Sequence, residues 1–404
     1  DVITDIGFSI QENVVASDKP KVLGEEELRK LTKRAFKYNK INEKYEDDVL
    51  EQKITNVVSF LKKGHGIFIY RSSSEDDEFE FVHNVFREVV AGRWLLTKEV
   101  VELTDYALNW GWHGPIRYWA GFKAVEVRGL HEISSFVDEL NQEQHKENIQ
   151  AILACGEMLV EVISCVKPHV ITARIKTHIS NTSEKLCRLL KQDSLLLVQR
   201  IRIGDLLAIL EDPRLKIKIE ERVTLIVSGE YKIGRLGKHN TTINKKYENC
   251  PAFPVITGNL KEFKIGNYLV TNKEFKEFID DDGYKKEKYW QSEIGLKWVQ
   301  GDEETINSLI IEATKVGRLH LTSELAGQRI IIDDIPERCI QMVKRSLPMY
   351  WSDPAFNRSN QPIVGINWWE ALAYCKWLEE SLKNRRIINE SQIIRLPIEV
   401  EWET

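Results

Sequence analysis

An almost unbroken series of helical patterns runs through residues 100–236 and limits the folds this chain can adopt. Segments such as ISSFVDELNQEQHKENIQAILACGEMLVEVI and VQRIRIGDLLAILEDP place apolar residues three and four positions apart, the spacing of one helix face. KIKIEERVTLIVSG near the end of the series is interpreted in the same way. Prolines and glycines fall between the segments, where helices end. The sequence therefore predicts a stack of antiparallel helices without a sheet over residues 100–236.

Chain length and composition indicate a globular protein of several domains. The 404 residues exceed what one ordinary core accommodates and suggest two or three domains. Apolar residues make up 42% of the chain, and the formal charge of −5 comes from nearly balanced acids and bases. Because no basic stripe is present to neutralise phosphates, nucleic acid is not favoured as a direct partner.

The cysteines and the longest apolar run bear on where the chain resides. Six cysteines are scattered without a CxxC pair, so neither a zinc knuckle nor a disulfide framework is indicated, and reduced thiols in the cytoplasm are expected. The apolar run AILACGEMLVEVISCV is interrupted by Glu157 and Glu161 and is too short to cross a bilayer, so no membrane partner is expected. The chain begins at Asp1 instead of a methionine, which suggests a piece of a longer protein.

The first hundred residues predict two helices, a β-hairpin and a third helix. GEEELRKLTKRAFKY and DDVLEQKITNVVSFLKKG carry helical spacing, whereas GIFIY and EFEFV are β-rich and joined by a polar turn. This order resembles a winged helix whose wing is the hairpin at residues 67–82. The following helix is expected to bury an apolar stripe against the wing, formed by Phe81, Val82, Val85, Phe86, Val89, Val90 and Trp94. His83 is interpreted as a capping or core histidine, because no second ligand-type residue lies at metal-ligand spacing.

The segment FEFVHNVFREVVAGRWLL resembles the phrase F-x-H-x-x-F-x-E-x-x-A-A that closes the nucleotide-binding module of NACHT-type NTPases in the STAND class. Val90 and Gly92 depart from its usual alanines, and the residues that fill the phrase are Phe81, His83, Phe86, Glu88, Ala91 and Trp94. The resemblance implies a nucleotide-switched signalling ATPase whose core, with its ATP and magnesium, lies before Asp1. No GxxxxGK[ST] motif occurs in the chain, and GRLGKHNTT has too few residues between its glycines to enclose a phosphate, so no cofactor is expected here.

None of the candidate catalytic or metal-ligand motifs in the sequence is complete. HEISS at His131 lacks the second histidine of HExxH, and DDDG at Asp280 lacks the full calcium-loop pattern. Three further histidines have no partner at helical ligand spacing, namely His145, His169 and His178. The sequence therefore predicts no catalytic residues and no metal ligands, and it leaves the ligand-binding residues undefined.

Two helix starts in the last third carry capping boxes. In VTNKEF the Thr271 hydroxyl can cap a helix with Glu274 three residues on, and Phe275, Phe278 and Ile279 form the inward face. In INWWEALAYCKWLEE, Asn367 and Glu370 have the same relation. The buried face of this second helix is predicted from its spacing to be Ala371, Tyr374, Cys375 and Leu378.

Three ordered phrases, VTNKEFKEF, PIVGINWWEALAYCKWL and RLPIEVEWE, resemble the formylglycine-generating, sulfatase-modifying family, whose fold is related to C-type lectins. The resemblance covers residues 248–404, with an atypical insertion at residues 301–345. It implies a copper oxidase that converts a client cysteine to formylglycine through a pair of cysteines beyond the E-W-E phrase, a part expected to follow Thr404. Cys375 corresponds to the family's structural cysteine. Three further residues are interpreted as structural anchors, Trp368, Arg395 and Trp402.

These patterns together predict a multidomain α plus α+β chain. The predicted parts are a winged-helix-like unit at residues 1–99, a HEAT-like helical scaffold at 100–236 and the N-terminal part of a lectin-like domain at 248–404. The favoured function is a non-catalytic sensor region of a STAND NTPase in bacterial signalling or antiphage defence. Its lectin-like loops, among them the insertion, would recognise a protein or peptide, and the full NTPase could self-associate. The alternatives are the copper oxidase and a scaffold with a decaying lectin-like remnant.

Overall fold

A computed structural model describes residues 2–17, 23–38, 47–63, 68–72, 78–233, 256–309 and 346–403. The chain divides into two compact units, Asp1–Pro213 and Arg214–Thr404. Most of the predicted insertion, together with Cys250 and Cys339, lies outside the described residues. The observed mixture of many helices and a few small sheets agrees with a multidomain α plus α+β chain.

The N-terminal unit begins with three helices and a small antiparallel sheet. The helices are α1 (Val2–Ser17), α2 (Glu25–Tyr38) and α3 (Asp47–Lys62), and the strands are β1 (Leu23–Gly24), β2 (Phe68–Arg71) and β3 (Glu78–Phe81). Strand β3 lies between β1 and β2, with Ile69 opposite Glu80. The two predicted helices and the pairing of the two β-rich segments are therefore confirmed. Their identity as a winged helix stays a prediction.

Helix α4 (Asn84–Leu95) buries a different face from the one its apolar spacing predicted. Val82, Val85 and Phe86 are exposed, whereas Ala91, Gly92 and Leu95 are buried. The cause is close packing on α6 (His113–Ala124), because a Cβ at Gly92 would lie 2.6 Å from the Pro115 carbonyl oxygen. The stripe that was predicted to be buried against the wing is thus partly exposed to solvent.

The rest of the N-terminal unit is helical. After a 3₁₀ turn at Val100–Leu103, the chain forms α5 (Thr104–Ala107), a 3₁₀ turn at Trp110–Trp112, α6, α7 (Gly129–Leu140), α8 (Ile149–Cys165), α9 (Ala173–Leu189) and α10 (Leu197–Leu210). Their core centres on α8, whose apolar face is fully buried along most of its length. The predicted series of helices is confirmed up to Leu210.

The helical prediction is wrong for the next segment. Two short 3₁₀ turns, Pro213–Lys216 and Ile219–Glu221, lead into strands β4 (Val223–Ile226) and β5 (Gly229–Ile233). Strand β5 pairs with β6 (Ile256–Leu260), and β4 pairs with β7 (Phe263–Gly266), both antiparallel. The local apolar spacing of this segment fits a helix, but its β-branched residues find backbone partners farther along the chain and the pairing decides the outcome.

Among the described residues, the C-terminal unit continues with helices α11 (Asn272–Asp280), α12 (Glu293–Gln300), α13 (Trp368–Asn384) and α14 (Glu399–Trp402), and residues 303–309 are also helical. A 3₁₀ turn at Glu287–Tyr289 lies between α11 and α12. Both predicted capping boxes are present, at Thr271 with Glu274 and at Asn367 with Glu370. The core of the unit is aromatic, and its most buried members are Phe275, Phe278, Tyr289, Trp298 and Tyr374.

Candidate functional site

A loop that leads into α13 is anchored on the first residue of α11. The Asn272 side chain donates from Nδ2 to the Phe356 carbonyl oxygen over 2.7 Å and to the Arg358 carbonyl oxygen over 2.9 Å. The backbone N–H of Asn272 donates to the Gln361 carbonyl oxygen over 2.9 Å. Since Asn272 is buried, these bonds are shielded from water and fix residues 356–361 on the helix start.

The other end of the loop is fixed by a glycine with a left-handed backbone. Gly365 has φ +69°, and a Cβ there would lie 2.7 Å from Cδ2 of Tyr350. The Met349 backbone N–H donates to the Gly365 carbonyl oxygen over 2.9 Å. Glycine therefore supplies both the conformation and the space that bring residues 349–350 against residue 365.

Between these anchors, the loop presents an exposed aromatic pair. The ring centroids of Tyr350 and Phe356 lie 5.1 Å apart, and the two residues are 37% and 43% exposed. Leu347 and Val364 are exposed to a similar degree. We call residues 347–364 the aromatic loop. Large apolar rings held in fixed positions at a surface are the residues that dominate the free energy of many protein interfaces.

Two further contacts hold chain segments to the helices α11 and α13: an ion pair of Arg222 and the buried carboxylate of Glu379. Arg222, just before β4, pairs with Glu274 on α11, and both side chains are largely buried. Burial alone raises the pKa of Glu379 on α13. Hydrogen bonds from Lys376, Lys383 and the Ile394 backbone N–H outweigh that effect and lower it to about 2. The segment after α13 is thus held to the helix through a carboxylate that is ionised at neutral pH.

Cys375 has the structural role that the sequence predicted. Its thiol is buried on α13, and that burial raises its pKa to about 11. A thiol with so high a pKa stays protonated at neutral pH and is a poor nucleophile. Of its predicted companions on the buried face, Tyr374 is buried, whereas Ala371 and Leu378 are only partly so.

The interpretation of Trp368 and Trp402 as structural anchors is wrong for the part of the chain that is described. Trp368 is 62% exposed and Trp402 is 65% exposed, so neither ring is enclosed by a core. Trp368 is the first residue of α13 and Trp402 is the last residue of α14. Arg395 does have an anchoring contact, since its guanidinium forms two hydrogen bonds to the Glu401 carboxylate, 2.6 Å and 2.7 Å long.

The histidines singled out from the sequence lie apart. His83 is the N-cap of α4, where its Nδ1 accepts a hydrogen bond from the Val85 backbone N–H over 3.1 Å. Of the two predicted roles, capping and core, the structure shows the capping role. His178 lines a polar cavity between α7 and α9. Among the residues with a described position, no group of three or more His, Cys, Asp or Glu side chains is arranged to hold a metal ion.

Sequence reasoning did not single out Tyr350 and Phe356. Both lie in the tract YWSDPAFNRSNQP. The DP dipeptide and the asparagine-rich stretch that follows it are loop signals, so they could have marked the aromatic residues on either side of the DP, Tyr350 and Phe356, as loop residues. The anchoring by Asn272 has no local signal, because the amide acts on residues far along the chain.

Residues 212–404 match the model of the FGE-sulfatase family, described as a sulfatase-modifying factor enzyme 1-like domain. A domain of this family is therefore present, and its match begins at residue 212, before the predicted start at residue 248. No curated protein matches the chain. Within the described ranges, no helix is both long enough and apolar enough to span a membrane.

Proposed function

We propose that the FGE-sulfatase domain of this chain is a binding domain that recognises a peptide or protein through its aromatic loop. The chain would be a non-catalytic sensor region of a NACHT-type STAND NTPase in the cytoplasm, in bacterial signalling or antiphage defence. The observation that carries the proposal is the exposed pair of Tyr350 and Phe356 on a loop anchored at both ends.

The anchoring of the loop supports a binding role on energetic grounds. A flexible loop must be ordered when a partner binds, and that entropy loss weakens the complex. Here Asn272 and Gly365 fix the loop before any partner arrives. Aromatic rings add large contact areas with few rotatable bonds, so the pair can supply affinity at small entropic cost.

The NTPase context rests on the segment around α4. Strand β3 leads directly into α4, and His83 lies at the junction as the helix N-cap. This is the strand-to-helix arrangement that the phrase of the NACHT resemblance requires. ATP and magnesium would bind in a core outside this chain, and the full NTPase could self-associate.

A second candidate is the formylglycine-generating copper oxidase. It is favoured by the presence of an FGE-sulfatase domain itself. The buried Cys375 corresponds to the family's structural cysteine and is not one of the pair that the resemblance assigns to copper. The oxidase would therefore depend on cysteines other than Cys375.

Peptide display on the whole chain tests the binding proposal. Peptides enriched on the wild-type protein are titrated against the double variant Tyr350→Ser/Phe356→Ser, and about a tenfold or greater loss of affinity is expected for the removal of two aromatic anchors. Trp402→Ser, which removes another exposed ring outside the aromatic loop, is the control and should change affinity by less than about twofold. Failure to enrich any peptide, or equal affinity for the double variant, would contradict the proposal.

A further inference from the structure

A cavity of about 460 Å³ lies between α7 and α9 in the N-terminal unit. Most of its lining comes from one face of α9, where residues 174, 177, 178, 181, 185 and 188 follow helical spacing. Helix α7 contributes Asp138 and Asn141 from its C-terminal end. Its volume falls within the range of small-molecule sites in proteins.

Two of the lining cations have no carboxylate partner. Among residues with described contacts, neither Lys185 nor Arg188 forms an ion pair. The Lys185 ammonium instead donates to Asn141 Oδ1 over 2.6 Å and to the Lys146 carbonyl oxygen over 3.1 Å, which are neutral acceptors. These bonds fix the position of the ammonium but do not compensate its charge. Arg188 follows Lys185 by three residues and therefore lies on the same face of α9.

The acidic side chains of the cavity do not cancel this charge. Asp138 is paired with Arg174 across the two helices. Glu184 is the second acidic residue of the lining. The lining therefore has two carboxylates against three cations, which leaves one net positive charge; the cations are Arg174, Lys185 and Arg188. An anionic group would complete the electrostatic balance around Lys185 and Arg188.

A buried imidazole in the lining lacks a hydrogen-bond partner. His178 is only 8% exposed, and its Nε2 has no partner among the described residues. Asp138 Oδ1 lies 3.6 Å from Nε2, close enough for an ion pair when the imidazole is protonated but too far for a hydrogen bond. Buried polar atoms in folded proteins are nearly always satisfied, so an unpaired ring nitrogen facing a polar cavity indicates a missing partner.

We propose that this cavity binds a small organic phosphate. A phosphate monoester carries up to two negative charges at neutral pH, which matches Lys185 and Arg188, and the guanidinium of Arg188 has the geometry to donate two parallel hydrogen bonds to it. A bound ligand would also give the His178 Nε2 the partner it lacks. Thr177 and Asn181, exposed on the same helix face, are placed to bond hydroxyl groups of the ligand.

Calorimetric titration of the full chain tests this proposal with four probes: inorganic phosphate, glucose 6-phosphate, gluconate and glucose. Glucose 6-phosphate is expected to bind about tenfold more tightly than inorganic phosphate or gluconate, because it supplies both the dianion and the hydroxyl groups, and glucose is expected not to bind. The same titration followed by NMR should shift the His178 ring resonance, which is assigned by its loss in His178→Gln. Binding of gluconate as tight as that of glucose 6-phosphate would overturn the assignment to phosphate.

Two charge-removing variants on α9 make the test specific to the cavity. Arg188→Gln should weaken glucose 6-phosphate binding by about tenfold, since it removes a cation that contacts the anion. Lys176→Gln removes the same charge from an exposed position of α9 outside the cavity and should leave affinity within about twofold. Absence of binding to both phosphate probes, or equal losses in the two variants, would overturn the proposal.

Discussion

The Tyr284 hydroxyl donates a 2.6 Å hydrogen bond to Oε1 of Glu370, a carboxylate with no exposed surface. The other carboxylate oxygen accepts from the Asn367 backbone N–H over 2.7 Å and closes the capping box of α13. One buried acid therefore joins the start of α13 to a residue of the segment after α11. A carboxyl group buried to this extent is costly to leave without hydrogen-bond donors.

Tyr284→Phe is expected to destabilise the C-terminal unit by about 1–3 kcal/mol, because it removes a hydrogen bond to the buried Glu370. Urea unfolding of the full chain, followed by the fluorescence of the tryptophans in this unit, measures the change. Tyr268→Phe is the control, since Tyr268 is exposed, and it should shift the free energy of unfolding by less than about 0.5 kcal/mol. Equal effects of the two variants would contradict this role for Tyr284.

An ion pair with a buried carboxylate predicts a large loss of stability in the N-terminal unit. Glu157 on α8 is 2% exposed and is paired with Arg202 on α10. Removing the partner by Arg202→Leu should cost about 3–5 kcal/mol, whereas Glu157→Leu/Arg202→Leu should lie within about 1 kcal/mol of the wild type. Burial raises the pKa of Glu157, so the carboxyl binds a proton more readily in the folded state and the loss in Arg202→Leu should shrink as pH falls. Denaturant unfolding at pH 7 and pH 5 measures both effects, and a double variant as unstable as the single one would contradict the pairing argument.

The depressed pKa of Glu379 predicts a pH dependence of opposite sign. Its folded value of about 2 lies below the ordinary 4.5, so its contribution to stability is complete above pH 4.5 and is lost as pH falls toward 2. The contribution amounts to about 3 kcal/mol if the whole shift is realised. The difference in free energy of unfolding between the wild type and Glu379→Gln should therefore shrink between pH 5 and pH 3. A difference that stays constant over this range would contradict the prediction.

The reactivity of two cysteines tests the assignment of Cys375 to the core. Cys165 at the end of α8 is exposed, whereas the Cys375 thiol is buried and its pKa is raised to about 11. Iodoacetamide at pH 8 should alkylate Cys165 at least about tenfold faster than Cys375, as measured by mass spectrometry of the corresponding peptides. Equal rates would show that the Cys375 thiol is accessible and ionised.

Features encoded within a few residues were the ones that the sequence predicted. The capping box of Thr271 and Glu274 spans four positions and appears as expected, with Phe275 and Phe278 buried on the face that follows. His83 as an N-cap and the pairing of β2 with β3 belong to the same class. In these cases the interacting groups are neighbours in the chain, so their types and spacing are sufficient.

Features that depend on distant partners were missed or misassigned. Strands β4 and β5 were interpreted as helical because their partners lie at residues 256–266. The exposed side of α4 was misassigned because the close approach of α6 at Gly92 selects its buried face. The aromatic loop depends on Asn272, whose bond to the Phe356 carbonyl spans 84 positions. Contacts at such separations are set by the tertiary fold, which single-sequence patterns do not specify.

The most direct test of a binding function, as against an oxidase function, is mass spectrometry of a cysteine-containing sulfatase peptide after incubation of the purified chain with copper and oxygen. A reaction without the protein is the control. The binding account predicts no formylglycine above that control, because it assigns the domain recognition of a partner without oxidase chemistry. Formation of formylglycine in proportion to the amount of chain would contradict the account and establish the oxidase.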